Sequence, residues 1–76
     1  MGQQRDNRLL QKIAITLIEL RDKTGLRQTD VYDETGIHIG RIETAKANLS
    51  ISTLSALCRF YKISMSDFLK KVEDLK

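Results

Sequence analysis

The sequence predicts an all-α fold of five short helices, and three observations carry that expectation. Apolar residues recur at spacings of three and four through most of the chain. No segment alternates apolar and polar residues with period two over a useful length, so no strand is expected. Short polar or glycine-containing breaks separate the apolar runs, and 76 residues leave room for one domain, residues 1–76.

Helix one starts after Asp6 or Asn7, both good capping residues, and puts Leu10, Ile13, Ala14, Leu17, Ile18 and Leu20 on one broad face. Thr24-Gly25 ends it. Helix two runs from Gln28 to about Glu34 and is closed by Thr35-Gly36. Helix three follows almost at once, from His38 to about Ala45, with Ile39 and Ile42 on one side. Ser50 caps a fourth helix whose inner face is Ile51, Leu54, Leu57, Cys58 and Tyr61. Ser64, with Asp67 three residues on, resembles a capping box that opens helix five through about Glu73. The ends, Met1 to Asp6 and Asp74 to Lys76, are expected to be mobile.

Composition narrows the function classes. Hydrophobic residues at 41% and charged residues at 30% fit a folded soluble chain and argue against disorder. The apolar stretch Ile13 to Ile18 is far short of the ~20 residues that span a bilayer, and no signal-peptide pattern precedes it, so a cytoplasmic location without membrane contact is expected. One cysteine, Cys58, and one histidine, His38, make neither an internal disulfide nor a four-ligand zinc site; no metal, cofactor or small-molecule ligand is expected. Paired carboxylates and a glycine-rich phosphate loop are both missing, and His38 and Cys58 fall on opposite-facing sides of separate helices. Catalysis is therefore not expected.

Two charges stand in the wrong places. Arg21 lies within the apolar stripe of helix one, and Glu43 lies beside Ile39 and Ile42 on the inner side of helix three. A buried charge without a partner is costly, so two opposite charges on inward faces are expected to meet as an Arg21–Glu43 ion pair. The outer strip of helix three is then His38, Arg41, Thr44 and Ala45.

The stretch Leu26-Arg27-Gln28-Thr29-Asp30-Val31-Tyr32-Asp33-Glu34-Thr35-Gly36-Ile37 resembles the first half of a phage-repressor/Cro-type helix-turn-helix, the XRE family. Arg41-Ile42-Glu43 resembles the end of that family's recognition helix, Lys46-Ala47-Asn48 its basic loop, and Ser50-Ile51-Ser52-Thr53-Leu54 the start of its fourth helix. The spacing from Arg21 to Gln28 also fits, and the resemblance covers roughly residues 9 to 70, with the helix-turn-helix at about 28–45.

That resemblance implies a lambda-repressor-like fold and a DNA-binding transcriptional regulator. Gln28 corresponds to the glutamine that opens helix two, which commonly touches a phosphate or anchors a base-contacting side chain, with Thr29 assisting. Arg41 is the first candidate for reading guanine and His38 the next; Thr44 shares their strip, and Lys46 and Asn48 fall where the family commonly reaches the DNA backbone. The size resembles stand-alone controllers such as Cro or restriction-modification control proteins, and an antitoxin repressing its own operon fits the same fold.

Three departures from the family pattern stand out. Glu43 follows Gln28 by 15 residues, about three fewer than usual, so roughly one helical turn is missing. Tyr32 replaces a small alanine where helices two and three approach, and the missing turn is expected to make room for its ring. Ala45 replaces the glycine after the recognition helix, so the helix is expected to run one residue longer rather than force alanine into a left-handed conformation.

Net charge is only +3, although between Thr35 and Lys62 the bases Arg41, Lys46, Arg59 and Lys62 face a single acid, Glu43. Few phosphates are neutralised per chain, which favours a homodimer on double-stranded DNA. Helix five carries Met65, Phe68, Leu69, Val72 and Leu75 in one arc; Phe68 and Leu69 are assigned to the core, and Val72, Leu75, Phe60 and Met65 to a twofold interface. The rival reading is a helical protein-interaction module that has lost DNA reading, suggested by the missing turn and the acidic helix two.

Overall fold

The structure is a computed structural model and describes residues 6–75. Of the ends expected to be mobile, Met1 to Asp6 and Asp74 to Lys76, residues 1–5 and 76 lie outside the described residues, whereas Asp6 caps the first helix and Asp74 ends the last. Five helices make up the fold: α1 (Asn7–Thr24), α2 (Gln28–Thr35), α3 (Ile39–Glu43), α4 (Ile51–Phe60) and α5 (Met65–Asp74). No strand occurs among the described residues.

Local chemistry accounts for the boundaries. The Asp6 carboxylate accepts from the Leu9 N–H at 2.9 Å, Ser50 Oγ from Thr53 N–H at 3.1 Å and Ser64 Oγ from Asp67 N–H at 3.0 Å, each satisfying an orphan donor of a first turn. At the start of α2 the reach is reversed: Asp30 Oδ2 accepts from the Arg27 backbone N–H at 2.8 Å. Hydrogen bonds from the Arg27 side chain and then its backbone hold the Asp30 carboxyl below its usual range. Gly25 and Gly36, both at φ 73°, turn the chain out of α1 and α2 through the left-handed region.

Helix three ends sooner than expected. Thr44 is its C-cap, and Ala45 takes the left-handed conformation at φ 61° instead of continuing the helix. Alanine there costs about 1 kcal/mol or more. The turn compensates through hydrogen bonds: Ala45 N–H donates to Ile42 O at 3.0 Å and the Thr44 hydroxyl to Arg41 O at 2.6 Å. Lys62, at φ 59°, makes a second such turn after α4, closed by Ile63 N–H on Cys58 O at 2.9 Å.

The core is a single cluster drawn from all five helices: Ile13 and Leu17, Val31, Ile39, Leu54, Leu57 and Cys58, and Phe68 and Val72. Helix α1 packs on α3 and α5, α2 on α3, and α4 on α5. Each fully buried apolar side chain stabilises by roughly 1.5–3 kcal/mol. Thr16 joins them at 2% exposed because its hydroxyl donates to Lys12 O at 2.9 Å, within its own helix.

Three assignments are corrected. On α5 the arc turns so that Phe68 and Val72 point into the core at 0% and 1% exposed, while Leu69 is 41% exposed. Val72 is thus a core residue that no partner can reach, and Leu69 is a surface one. Leu75, Phe60 and Met65 are half-buried, the latter two packed against the core edge. Ile51 leaves the inner face of α4: it sits one turn before Leu54, ahead of the residues that reach the core, and is 74% exposed.

Candidate nucleic-acid interface

A clamp positions α3, a helix too short to be stable alone. The Arg21 guanidinium bridges Glu43 with two parallel hydrogen bonds, Nε to Oε2 at 2.7 Å and Nη2 to Oε1 at 3.0 Å, as the inward-facing charges led one to expect. Its third nitrogen donates to Leu26 O at 3.0 Å, tying in the loop between α1 and α2. The pair is largely removed from water, with side-chain exposures of 15% and 5%. Hydrogen bonding to Glu43 raises the Arg21 pKa against the opposing effect of burial.

Gln28 completes the clamp. Its Nε2 donates to Glu43 Oε1 at 2.8 Å, so the first residue of α2 is held to the last residue of α3. The amide crosses Gly40, where an added Cβ would stand 3.0 Å from Gln28 Oε1. The absence of a side chain at position 40 is what lets the two helices share this contact.

Tyr61, expected on the inner face of α4, borders the clamp, a neighbourhood that the sequence does not reveal. Its hydroxyl is buried and makes no hydrogen bond among the described residues. Burial, reinforced by the Glu43 charge and opposed by Arg21, pushes its pKa up to about 12.

The outward side of α3 carries the other expected residues. Arg41 is exposed and lies where three concavities meet. The largest, about 470 Å³, runs between α2 and α3 and brings Arg41 together with Gln28, Thr29 and His38. A second, about 300 Å³, joins Arg41 to Thr44 and Lys46; a third, about 290 Å³, joins Arg41 and His38 to Asn48. All seven residues singled out from sequence therefore fall on one continuous face. Thr44 also has structural work, since its hydroxyl accepts from Lys46 N–H at 3.4 Å as well as donating to Arg41 O.

Tyr32 and His38 form an aromatic pair at the entrance to α3. Tyr32 is 44% exposed, and the ring centroids are 4.5 Å apart with planes tilted by 33°. His38 is the N-cap of α3 but makes no capping hydrogen bond with its side chain. The tyrosine ring thus rests beside the shortened turn, outside the core.

The Helix-turn-helix family profile matches residues 17–68, which include the Arg21–Glu43 clamp, both helices of the motif and the core of α4 and α5. The chain belongs to the phage-repressor/Cro-type helix-turn-helix family. No significant match was found among curated proteins or among solved structures. Membership makes this helix-turn-helix protein a DNA-binding regulator with a lambda-repressor-like fold, from a family that is typically non-enzymatic. The match takes in α2 and α3, the two short helices that meet across Gly40. No described helix is long and apolar enough to cross a membrane.

Proposed function

We propose that the protein is a sequence-specific transcriptional regulator acting as a homodimer on a palindromic operator. The observation that carries this reading is the convergence on Arg41: an exposed arginine, without a side-chain hydrogen bond or ion pair among the described residues, stands on the outer side of a recognition helix whose inner side is clamped. A guanidinium held this way suits bidentate contact with guanine O6 and N7 in the major groove. Thr29, Thr44, Lys46 and Asn48 flank it and suit phosphate contacts that set register. Gln28 acts mainly by holding Glu43, the anchoring option among its expected roles.

Self-association uses the flank of α5 on which Met65 and Leu69 stand one turn apart, together with Leu75 after its last turn and the half-buried Phe60 that ends α4. Doubling the site doubles the phosphates neutralised, and a twofold dimer places its recognition helices about 34 Å apart, one turn of B-DNA. The acidic residues Asp30, Asp33 and Glu34 on α2 favour the second reading, a protein-interaction module.

In vitro selection from random duplex DNA, at low and moderate salt, separates the two. Enrichment of an inverted repeat with half-sites one turn apart supports the regulator. A folded protein that enriches no sequence refutes sequence-specific binding and leaves the interaction module.

A further inference from the structure

We infer that Tyr32, stacked on His38, is a second base-reading element that contacts a thymine 5-methyl group in the major groove beside the step read by Arg41. The inference rests on the operator-binding reading above and names a determinant of its specificity.

The argument starts from what α3 lacks. Of its five residues, Ile39 is 1% exposed, Ile42 packs against the core, Gly40 has no side chain and Glu43 is occupied by Arg21 and Gln28. Arg41 alone projects outward from the helix proper. One bidentate contact discriminates bases by roughly a factor of 10–100, whereas specific and non-specific DNA binding typically differ by about 10³–10⁷. Two such contacts in a dimer reach about 10²–10⁴, the low end of that range, which leaves room for further side chains on the same face to read base edges.

The aromatic pair has the right position and chemistry. Tyr32 and His38 line the same groove as Arg41. Tyr32 leaves 44% of its surface exposed, and the His38 ring packs against it at 4.5 Å and so restrains it. An immobilised apolar ring edge loses little entropy on binding. Asp33, next to Tyr32 in sequence, also lines the groove and repels phosphate oxygens, so around Tyr32 the groove suits base edges better than backbone. Among major-groove features, the thymine methyl is the one that takes apolar contact.

The test uses the operator enriched by the wild-type protein, with each thymine of one half-site replaced singly by deoxyuridine. The wild-type protein should lose about fourfold in affinity at one thymine, the worth of one buried methyl group. Tyr32→Phe should keep that sensitivity. Tyr32→Ala, which loses a surface ring pair and so should melt only a few degrees lower, should bind the thymine and uracil operators equally while its affinity for random duplex stays the same. His38→Ala should weaken the discrimination by releasing the ring. Uniform indifference of the wild-type protein to deoxyuridine, or undiminished discrimination by Tyr32→Ala, overturns the inference and leaves operator binding standing. Failure of the wild-type protein to enrich any operator overturns both.

Discussion

Replacing Glu43 with alanine should destabilise the fold by about 3 kcal/mol, the low end of the ~3–5 kcal/mol typical when one partner of a buried ion pair is removed. The structure sets that position within the range. Three charge-assisted hydrogen bonds, at 2.7, 2.8 and 3.0 Å, disappear together. Arg21 nevertheless keeps its bond to Leu26 O and, at 15% side-chain exposure, can recover some hydration. A 76-residue domain has a total stability of about 4–11 kcal/mol, so the variant should remain folded at low temperature with little in reserve. At an unfolding entropy of about 2.1 cal/mol/K per residue, 3 kcal/mol lowers the melting midpoint by roughly 15–20 °C. Thermal denaturation followed by far-ultraviolet circular dichroism measures this directly. The double variant Arg21→Met with Glu43→Leu should recover part of the loss, because it removes the stranded charge as well as the bond. A midpoint lowered by less than about 5 °C would show that water screens the pair and would refute the clamp as the device that holds α3.

The other predictions separate binding from folding. Arg41→Ala should weaken operator binding by about 1–3 kcal/mol and relax preference at one base step without moving the melting midpoint; equal losses on operator and random duplex would make Arg41 a phosphate contact instead. Tyr61→Phe should leave stability unchanged or raise it by up to ~1 kcal/mol, since it removes a buried hydroxyl that forms no hydrogen bond among the described residues; a clear loss in urea denaturation would contradict that geometry. In the wild-type protein the neutral phenol is the form that folding favours, so Tyr61 should destabilise the fold as pH rises from about 10, its unfolded value, through about 12. Comparing alkaline unfolding of Tyr61→Phe with wild type over that window isolates its share. Leu69→Glu should abolish self-association in sedimentation experiments while leaving helical content intact; an unchanged dimer would move the interface off α5.

Features decided within a few residues were legible in the sequence. Asp6, Ser50 and Ser64 announce their helices because a short polar side chain satisfies an N–H three residues on, and Gly25 and Gly36 announce the ends because left-handed turns favour glycine. The Arg21–Glu43 pair was legible for a different reason: burial of either charge alone is so unfavourable that position on an apolar face implies the partner. Features decided by how helices meet were not. The apolar arc of α5 is wider than its contact with α1 and α4, so periodicity could not tell that Val72 goes inside and Leu69 outside. Thr16 reads as polar but is buried because it bonds its own helix. Ala45 turns left-handed because Thr44 and Ile42 hold the turn, a balance of small terms that no single residue reveals. The spacing of α4 puts Tyr61 on its inner face, but its place beside Glu43 arises only when α3 and α4 are assembled.

The shortened recognition helix divides labour unevenly between stability and recognition. Five helical residues span only about 7.5 Å, too little for α3 to hold its own shape. Its orientation is imposed by Ile39 in the core and by Glu43 in the clamp, and those residues are thereby unable to face DNA. Because Gln28 is bound to the same carboxylate, loss of Glu43 releases one wall of the groove between α2 and α3 as well as Arg21. Glu43 variants should therefore lose operator affinity even at temperatures where they are fully folded, and Arg41 variants should lose affinity without losing stability. The coupling runs mainly in one direction: the clamp can change what the outer face reads, whereas of the seven residues on that face Gln28 is the one that bonds into the clamp.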